Sequence, residues 1–100
     1  VNTSQQLWAV VTDSSGNIYC GGETFGSPNQ ATITKFNVGG TQQWSKTHAP
    51  NGGQFNRWNY LAVDPVSEDV ITNGLILGTG GNHDIGTARY QATAHWYGRD

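Results

Sequence analysis

Two stretches of the chain carry the same order of residue classes, about fifty positions apart. Val10–Gly22 runs from β-branched residues through a turn rich in Asp, Ser and Gly to a second apolar run that ends in glycine, and Leu61–Gly74 follows the same order. β-branched side chains suit a pleated strand, whereas Asp, Ser, Asn and Gly suit a tight turn. Each stretch is therefore predicted to be a β-hairpin.

The turn and end signals of the two hairpins fall at the same places. In the first hairpin Gly16 or Asn17 accepts a positive φ at little cost, and Gly21-Gly22 is predicted to end the second strand. In the second hairpin Pro65 presets φ for the turn and removes a donor that a strand interior would need. A chain that repeats a hairpin in this way is constrained to a β-sheet architecture.

The order of strands around the two hairpins repeats as well. Ala49–Gly53 is the strongest break in the chain, and Gly78–Asp84 is a glycine loop. The matched residues are Asp13 and Asp64, Ile18 and Val70, Gly22 and Gly74, Trp44 and Trp96, and Lys35-Phe36 and Arg89-Tyr90. The predicted strands are Leu7–Val11, Ile18–Cys20, Ala31–Phe36, Thr41–Lys46, Trp58–Val63, Asp69–Leu77, Ile85–Tyr90 and Ala92–Tyr97.

Self-similarity at a period near fifty, with four short strands in each unit, is typical of β-propeller blades. We therefore predict an all-β fold of two four-stranded antiparallel blades, residues 1–52 and 53–100, that form one structural unit within a larger or oligomeric propeller. Two blades alone leave sheet faces and edges open, so the predicted partners are other copies of the chain or further blades of a longer chain. A small sandwich or barrel of eight short strands is the alternative.

The first unit also resembles a known family. Val-Val-Thr-Asp-Ser-Ser-Gly-Asn-Ile-Tyr-Cys-Gly-Gly at 10–22, with Ala-Thr-Ile-Thr-Lys-Phe-Asn at 31–37 and Thr-Gln-Gln-Trp-Ser-Lys at 41–46, is similar to the bacterial and phage β-propeller repeats called SBBP. The similarity is close over Trp8–Lys46 and weaker over Trp58–Tyr97, where the turn sequence departs from the pattern. The resemblance implies a propeller blade of the kind found in secreted bacterial proteins and in phage tails and fibres. That family has no common catalytic residue, so the resemblance implies none here.

The composition excludes several classes of protein. Charged residues make up 12% of the chain and the formal net charge is −2, with no basic run, so we expect no nucleic-acid partner. No apolar run is long enough to span a bilayer. The polar, glycine-rich composition suits a β-rich, turn-rich surface protein, and the resemblance to SBBP repeats implies an extracellular or virion location. The chain contains no Met, so Val1 is not expected to be an initiator, and glycosylation of Asn2 in its Asn-Thr-Ser triplet stays open.

Side chains that commonly bind metals are not arranged as a site. Asp13, Ser15 and Asn17 alternate like the start of a calcium loop but lack the later carboxylate, so a plain turn is predicted. The histidines have no ligand spacing and are expected in loops or at the surface. They are His48, His83 and His95, of which His83 falls in the glycine loop with Asn82 and Asp84. No metal and no cofactor is expected.

No set of side chains predicts a catalytic site either. Cys20 is the only cysteine and is expected to be a small buried strand residue. Asp64, Glu68 and Asp69 fall in one turn, where solvated acids are ordinary, and are not spaced to face one another across a cleft. Gly78–Gly81 lacks the following helix of a phosphate cradle, and no Gly-x-Ser-x-Gly elbow is present. The chain is predicted not to be an enzyme, with no catalytic residue.

The aromatic residues have two possible roles, packing between blades and binding of a sugar ring. Trp44 and Trp96 recur at matched positions and are predicted to pack between blades. Clusters of aromatic and amide side chains on loops also suit a sugar ring. The residues of that second interpretation are Arg57, Trp58, Trp96 and Tyr97, with Asn56 and Asn59 as amide partners.

The predicted function is a non-catalytic β-propeller module with a structural or adhesive role in an extracellular or virion assembly, such as a tail or fibre. One alternative is a glycan-binding lectin with surface glycans as partners, and another is part of a hydrolase propeller. The sequence assigns no ligand-binding residue to any of them.

Overall fold

The computed structural model describes residues 5–25, 29–48, 56–77 and 83–91. These segments form seven β-strands, and they contain no helix of the length and hydropathy needed to cross a membrane. The strands are β1 (Gln5–Thr12), β2 (Ile18–Thr24), β3 (Gln30–Phe36), β4 (Gln42–His48), β5 (Asn56–Val63), β6 (Val70–Leu77) and β7 (His83–Tyr90).

The strands form two antiparallel sheets in which each strand pairs with the next along the chain. The first sheet has the order β1-β2-β3-β4 and the second has the order β5-β6-β7. The prediction of an all-β antiparallel fold is confirmed. The eighth predicted strand, Ala92–Tyr97, lies outside the described residues. His83 and Asp84 belong to β7 and not to a glycine loop, because β7 pairs with β6 over its whole length.

Three hairpin turns are built in the same way. In each turn an Asp or Asn side-chain oxygen accepts two backbone N–H groups of its own turn, at 2.9–3.3 Å. Such an oxygen satisfies amides that a tight reversal leaves without a backbone partner, and so fixes the turn. The acceptors are Asp13, Asn37 and Asp64, and their donors are Ser15 and Asn17, Gly39 and Thr41, and Val66 and Ser67, respectively.

The third turn is one residue longer than the first and holds a strained residue. Gly16 has a φ of 86° in the first turn, whereas Glu68 takes a φ of 66° in the third. Residues with a side chain reach this left-handed region at a cost of roughly 1–2 kcal/mol. The amide of Glu68 donates to the carbonyl oxygen of Asp64 at 2.8 Å, and the Glu68 carboxylate accepts from Ser14. These contacts hold the residue in place.

The first strand of each sheet has a β-bulge at an equivalent position. The pairing of β1 with β2 skips Trp8, and the pairing of β5 with β6 skips Asn59. An extra residue bends the strand and brings its backbone towards the neighbouring strand. Opposite each bulge stands a glycine, Gly22 or Gly74, at which an added Cβ would overlap the backbone of the bulged strand. Only glycine fits at these two positions.

The bulge also corrects one sequence prediction. The sequence predicts that Gly21-Gly22 ends the strand, but β2 continues to Thr24. Both glycines serve close contacts and not a turn. Gly22 faces the bulge, and a Cβ added at Gly21 would lie 2.8 Å from Cδ2 of Leu61 in β5. Leu61 therefore occupies the space that the missing side chain leaves.

The two sheets pack face to face over one apolar core. Registered partners point to the same side of a sheet, so each sheet has an inner face in the core and an outer face. The Trp44 ring of the first sheet lies 6.3 Å from the ring of Tyr90 in the second sheet and 6.2 Å from the ring of Tyr19. Trp44 thus packs between the sheets, whereas Trp96 lies outside the described residues. The buried core residues are Tyr19, Ala31, Ile33, Trp44, Trp58, Val70, Ile76, Ala88 and Tyr90.

The outer face of each sheet mixes apolar side chains with small polar ones. The register of the strands decides which residues belong to it. The outer face of the first sheet contains Leu7, Val10, Ile18, Cys20, Thr34 and Phe36. The outer face of the second sheet contains Arg57, Tyr60, Ala62, Ile71, Asn73, Leu75, Ile85, Thr87 and Arg89.

Candidate functional site

The first candidate site is the Asp13 turn. One carboxylate oxygen of Asp13 accepts the amides of Ser15 and Asn17, at 2.9 and 3.0 Å. The other oxygen accepts from the Asn17 side chain and from the hydroxyl of the buried Tyr19, each at 3.0 Å. Four donors thus surround the carboxylate, and Asn17 turns its amide nitrogen, not an oxygen, towards it. This arrangement supports the prediction of a plain turn over a calcium loop.

The surroundings of Asp13 set its charge. Burial alone would raise the pKa of the carboxyl, but the hydrogen bonds from Asn17, Tyr19 and Ser15 outweigh it and lower the pKa below its usual value. Burial, followed by the bond to Asp13, raises the pKa of the Tyr19 phenol. The pair therefore exists as an ionised carboxylate and a neutral phenol, and the phenol donates.

Asp13→Asn is expected to flatten the loss of stability in acid. Because the pKa of Asp13 is lower in the folded state, the unfolded chain takes up this proton first, and protonation favours unfolding. The stability that the ionised group contributes is present above its unfolded pKa and is lost as the pH falls through the folded value. Urea midpoints measured between about pH 6 and pH 3 check this. If the urea midpoint falls equally steeply with pH for the native protein and Asp13→Asn, the prediction is wrong.

A contact between two turns joins the sheets at the same end of the molecule. The amide and hydroxyl of Ser14 donate to one carboxylate oxygen of Glu68, at 3.2 and 2.7 Å. Beside it the guanidinium of Arg89 donates to Asp69 at 2.9 Å and to Asp64 at 3.1 Å. The three acids that the sequence places in one turn are thus bound by Ser14 and Arg89. They lie at the surface, as predicted, but each has a partner.

The pKa values of Asp64 and Arg89 are both shifted by their hydrogen bonds. The amide of Val66 and then the guanidinium of Arg89 lower the pKa of Asp64. Asp69 and then Asp64 raise the pKa of Arg89. Asp64 and Arg89 are therefore both charged at neutral pH.

A second polar cluster, which sequence reasoning missed, lies at the other end of β2. Glu23 is only 2% exposed, and its carboxylate accepts from the indole nitrogen of Trp8 at 2.7 Å and from the Asn29 side chain at 3.2 Å. The guanidinium of Arg57 lies 4.2 Å from the centre of the Trp8 ring. The side chain of Asn56 donates to the carbonyl oxygen of Asn29 at 2.8 Å. The cluster links β5 of the second sheet to β1 and the β2–β3 connection of the first.

The residues considered for sugar binding are mostly engaged in packing. Trp58 is fully buried, and the ring of His48 stacks on it at 5.9 Å with an interplanar angle of 8°. Trp58 therefore offers no free ring face to a sugar, contrary to the glycan interpretation of Arg57-Trp58. His48 lies at the end of β4 and not in a loop, and it is partly exposed while its ring packs against β5. His95, Trp96 and Tyr97 lie outside the described residues.

Cys20 lies in a strand, as predicted, but on an outer face, where it is only half-buried. Burial raises the pKa of its thiol, which disfavours the reactive thiolate. Among the described residues no three His, Cys, Asp or Glu side chains are grouped so that they could hold a metal ion.

No protein-family model matches the chain, and a search of curated proteins finds no similar sequence. The resemblance to SBBP repeats therefore stays a prediction. Within the described ranges, the features left without a packing role are the outer faces of the two sheets.

Proposed function

We propose that the chain is a non-catalytic β-propeller module of two blades, residues 1–52 and 53–100, with a structural or adhesive role in an extracellular or virion assembly. The packing of the two sheets carries this proposal. Ile18 lies on the outer face of the first sheet, whereas Val70, its match in the sequence, is fully buried on the inner face of the second. Tyr19 lies in the core, whereas its match Ile71 lies on an outer face.

The first strands of the sheets agree with this reversal. Val10 points outward in β1, and its match Leu61 points inward in β5, where it packs against Gly21. In these three pairs, the two matched residues thus lie on opposite sides of their sheets. The inner face of the first sheet therefore corresponds in sequence to the outer face of the second sheet, and the reverse also holds. The two faces that pack in the core are not equivalent to each other, which is head-to-tail packing.

Head-to-tail packing favours a propeller over a closed sandwich. A sandwich buries one face of each sheet and leaves the other face polar. Stacked copies of one unit instead bury both faces of every inner unit, and a closed ring buries both faces of all of them. The bulges at Trp8 and Asn59, each opposite a glycine, support the view that the sheets are two versions of one unit.

The structural or adhesive role rests on the state of the polar groups. The described carboxylates at the turn end are held in turns and ion pairs, and Glu23 is held by Trp8 and Asn29. Groups engaged in this way position strands and are not available to a substrate. The resemblance to SBBP repeats supplies the extracellular or virion setting. The lectin alternative stays a prediction, and selective binding of the labelled protein to one class of glycan on an array would favour it.

A concatemer tests the proposal. Three and four copies of the chain, joined end to end through their own termini, would hold six and eight blades, within the range of about four to eight that propellers use. One of them is expected to fold as a single closed unit, because closure buries the outer faces that a single copy exposes. Its urea midpoint is then expected to exceed that of one copy, with a single cooperative transition.

The matched control is the same concatemer with Val10→Asp in every copy, which places a charge where the next unit would pack. It is expected to lose the gain in midpoint. If the copies in the native concatemers unfold independently, at the urea midpoint of one copy, the propeller is excluded and the sandwich alternative remains.

A further inference from the structure

We propose that a second copy of this chain docks head to tail, with the outer face of the first sheet of one copy packed on the outer face of the second sheet of the next. This inference rests on the proposed propeller module and names its partner. It takes the sheet-to-sheet packing inside the chain and continues it between chains.

The outer face of the first sheet suits burial. Val10 is 63% exposed, and Leu7 is exposed to the same extent. Ile18, Cys20 and Phe36 lie beside them and are only partly covered. The described residues that the register places on this face carry no charge, so no charged group has to be dehydrated when the face is buried.

The outer face of the second sheet suits burial as well. Ile85 is 79% exposed and Tyr60 is exposed too, with Ile71 and Leu75 between them. Its two charged members are engaged within the chain: Arg89 is paired with acids of the β5–β6 turn, and the guanidinium of Arg57 lies over the ring of Trp8. Like the outer face of the first sheet, it exposes large apolar side chains that a monomer leaves in water.

The outer face of each sheet corresponds in sequence to the inner face of the other sheet. The outer face of the first sheet carries Val10, Ile18 and Phe36 where the inner face of the second carries Leu61, Val70 and Tyr90. These pairs preserve an apolar side chain at each position. The outer face of the first sheet therefore presents a version of the surface that the first sheet already binds inside the chain.

One position differs, and it sets the expected strength of the contact. Leu61 fills the space above Gly21 inside the chain, but the match of Gly21 on the outer face of the second sheet is Asn73. The smaller Val10 stands where Leu61 would be. Packing between chains is therefore expected to be looser than packing within one, so association should depend on concentration.

A second copy is the occupant that these observations favour. A single chain carries both members of the complementary pair, one on each outer face, and their arrangement is heterologous. A copy that binds through one face leaves its other face open for the next copy, and identical subunits in this arrangement form a ring where the rotation between copies closes and an open filament where it does not.

Two variants block one face each. Val10→Asp places a charge on the outer face of the first sheet, and Ile85→Asp places one on the outer face of the second. Val38→Asp is the control, because Val38 is 77% exposed in the Asn37 turn and lies on neither face. Leu7→Asp and Tyr60→Asp repeat the two blocks, and far-UV circular dichroism confirms that each variant is folded. Sedimentation velocity over roughly two decades of concentration gives the mass of each species.

The native chain and Val38→Asp are expected to form species larger than one chain. Val10→Asp and Ile85→Asp are each expected to associate about a hundredfold more weakly or not at all, because a charge would be buried without a partner. An equimolar mixture of the two blocked variants is expected to form a two-chain species, since each retains the face that the other has lost.

Several results would overturn the inference. They are a native chain that stays monomeric throughout, an association that only one of the two blocks removes, an equal effect of Val38→Asp, and blocked variants that remain monomeric when mixed. A concatemer that closes while the free chain is monomeric would overturn this docking alone and leave the propeller module standing. Independent unfolding of the copies in the concatemer would remove both.

Discussion

Gly22→Ala is expected to destabilise the protein by about 2–3 kcal/mol. The bulge at Trp8 brings the backbone of β1 against Gly22, and a Cβ there would overlap the carbonyl group of Gln6. Because the obstacle is backbone and not the end of a flexible side chain, β1 must move away from β2 or lose its bulge. The equivalent change, Gly74→Ala, meets the carbonyl group of Arg57 and is expected to have a similar effect.

Gly39→Ala is the matched control for this prediction. Gly39 lies in an exposed turn without a positive φ, and the nearest atom to an added Cβ is 3.4 Å away. Urea unfolding followed by circular dichroism gives the free energy for each variant. If Gly22→Ala costs no more than Gly39→Ala, the bulge is not a close backbone contact and the strand could accept any small residue.

The strands were predictable from the sequence because their signals are local. β-branched runs, Gly-containing turns and a leading Asp or Asn specify hairpins without help from distant residues. The third turn shows how far this reaches. Its Pro65 and Glu68 depart from the pattern of the first, yet Asp64 still accepts the amides of its own turn, as Asp13 does. The leading Asp therefore predicts the structure of the turn better than the residues that follow it do.

The sequence could not show which residues meet across the sheets. Gly21 and Gly22 carry the same local signal as a strand end, but the side chain of Leu61 and the bulge at Trp8 decide that β2 continues. Glu23 follows the glycines in what the sequence predicts to be a loop, whereas it lies buried in β2 because Trp8 on the neighbouring strand donates to it. Burial of an acid depends on such non-local donors, which periodicity does not reveal.

Prediction of the candidate site was limited for the same reason, because sequence signals are local and the partners of its residues lie on other strands. The sequence correctly groups Asp64 and Asp69 in one turn, but their partner Arg89 comes from β7, about twenty residues further along. The Arg57-Trp58 pair looks like a ring and a cation on a loop, whereas both residues lie in β5 and Trp58 faces the core. Alternation along β5 settles which side chain points inward, and the bulge at Asn59 shifts that alternation.

Trp44→Ala is expected to reduce the free energy of unfolding by about 3–5 kcal/mol. The Trp44 ring is buried between Tyr19 of its own sheet and Tyr90 of the other, so truncation leaves a cavity at the junction of the sheets. The free energy of unfolding of a small domain is only about 5–15 kcal/mol in total, so the variant is expected to be marginally folded at room temperature. Trp44→Phe keeps an aromatic ring between the two tyrosines and is expected to lose less.

Tyr60→Ala is the control for the loss of an aromatic side chain, because Tyr60 lies exposed on an outer face. Urea midpoints of all variants are compared at low protein concentration, where contacts between copies do not contribute. Trp44→Ala is also expected to weaken the near-ultraviolet circular dichroism of the tyrosine rings that pack against it. A midpoint for Trp44→Ala no lower than that for Tyr60→Ala would mean that the sheets do not depend on this ring. The head-to-tail packing from which the propeller is inferred would then lack its central contact.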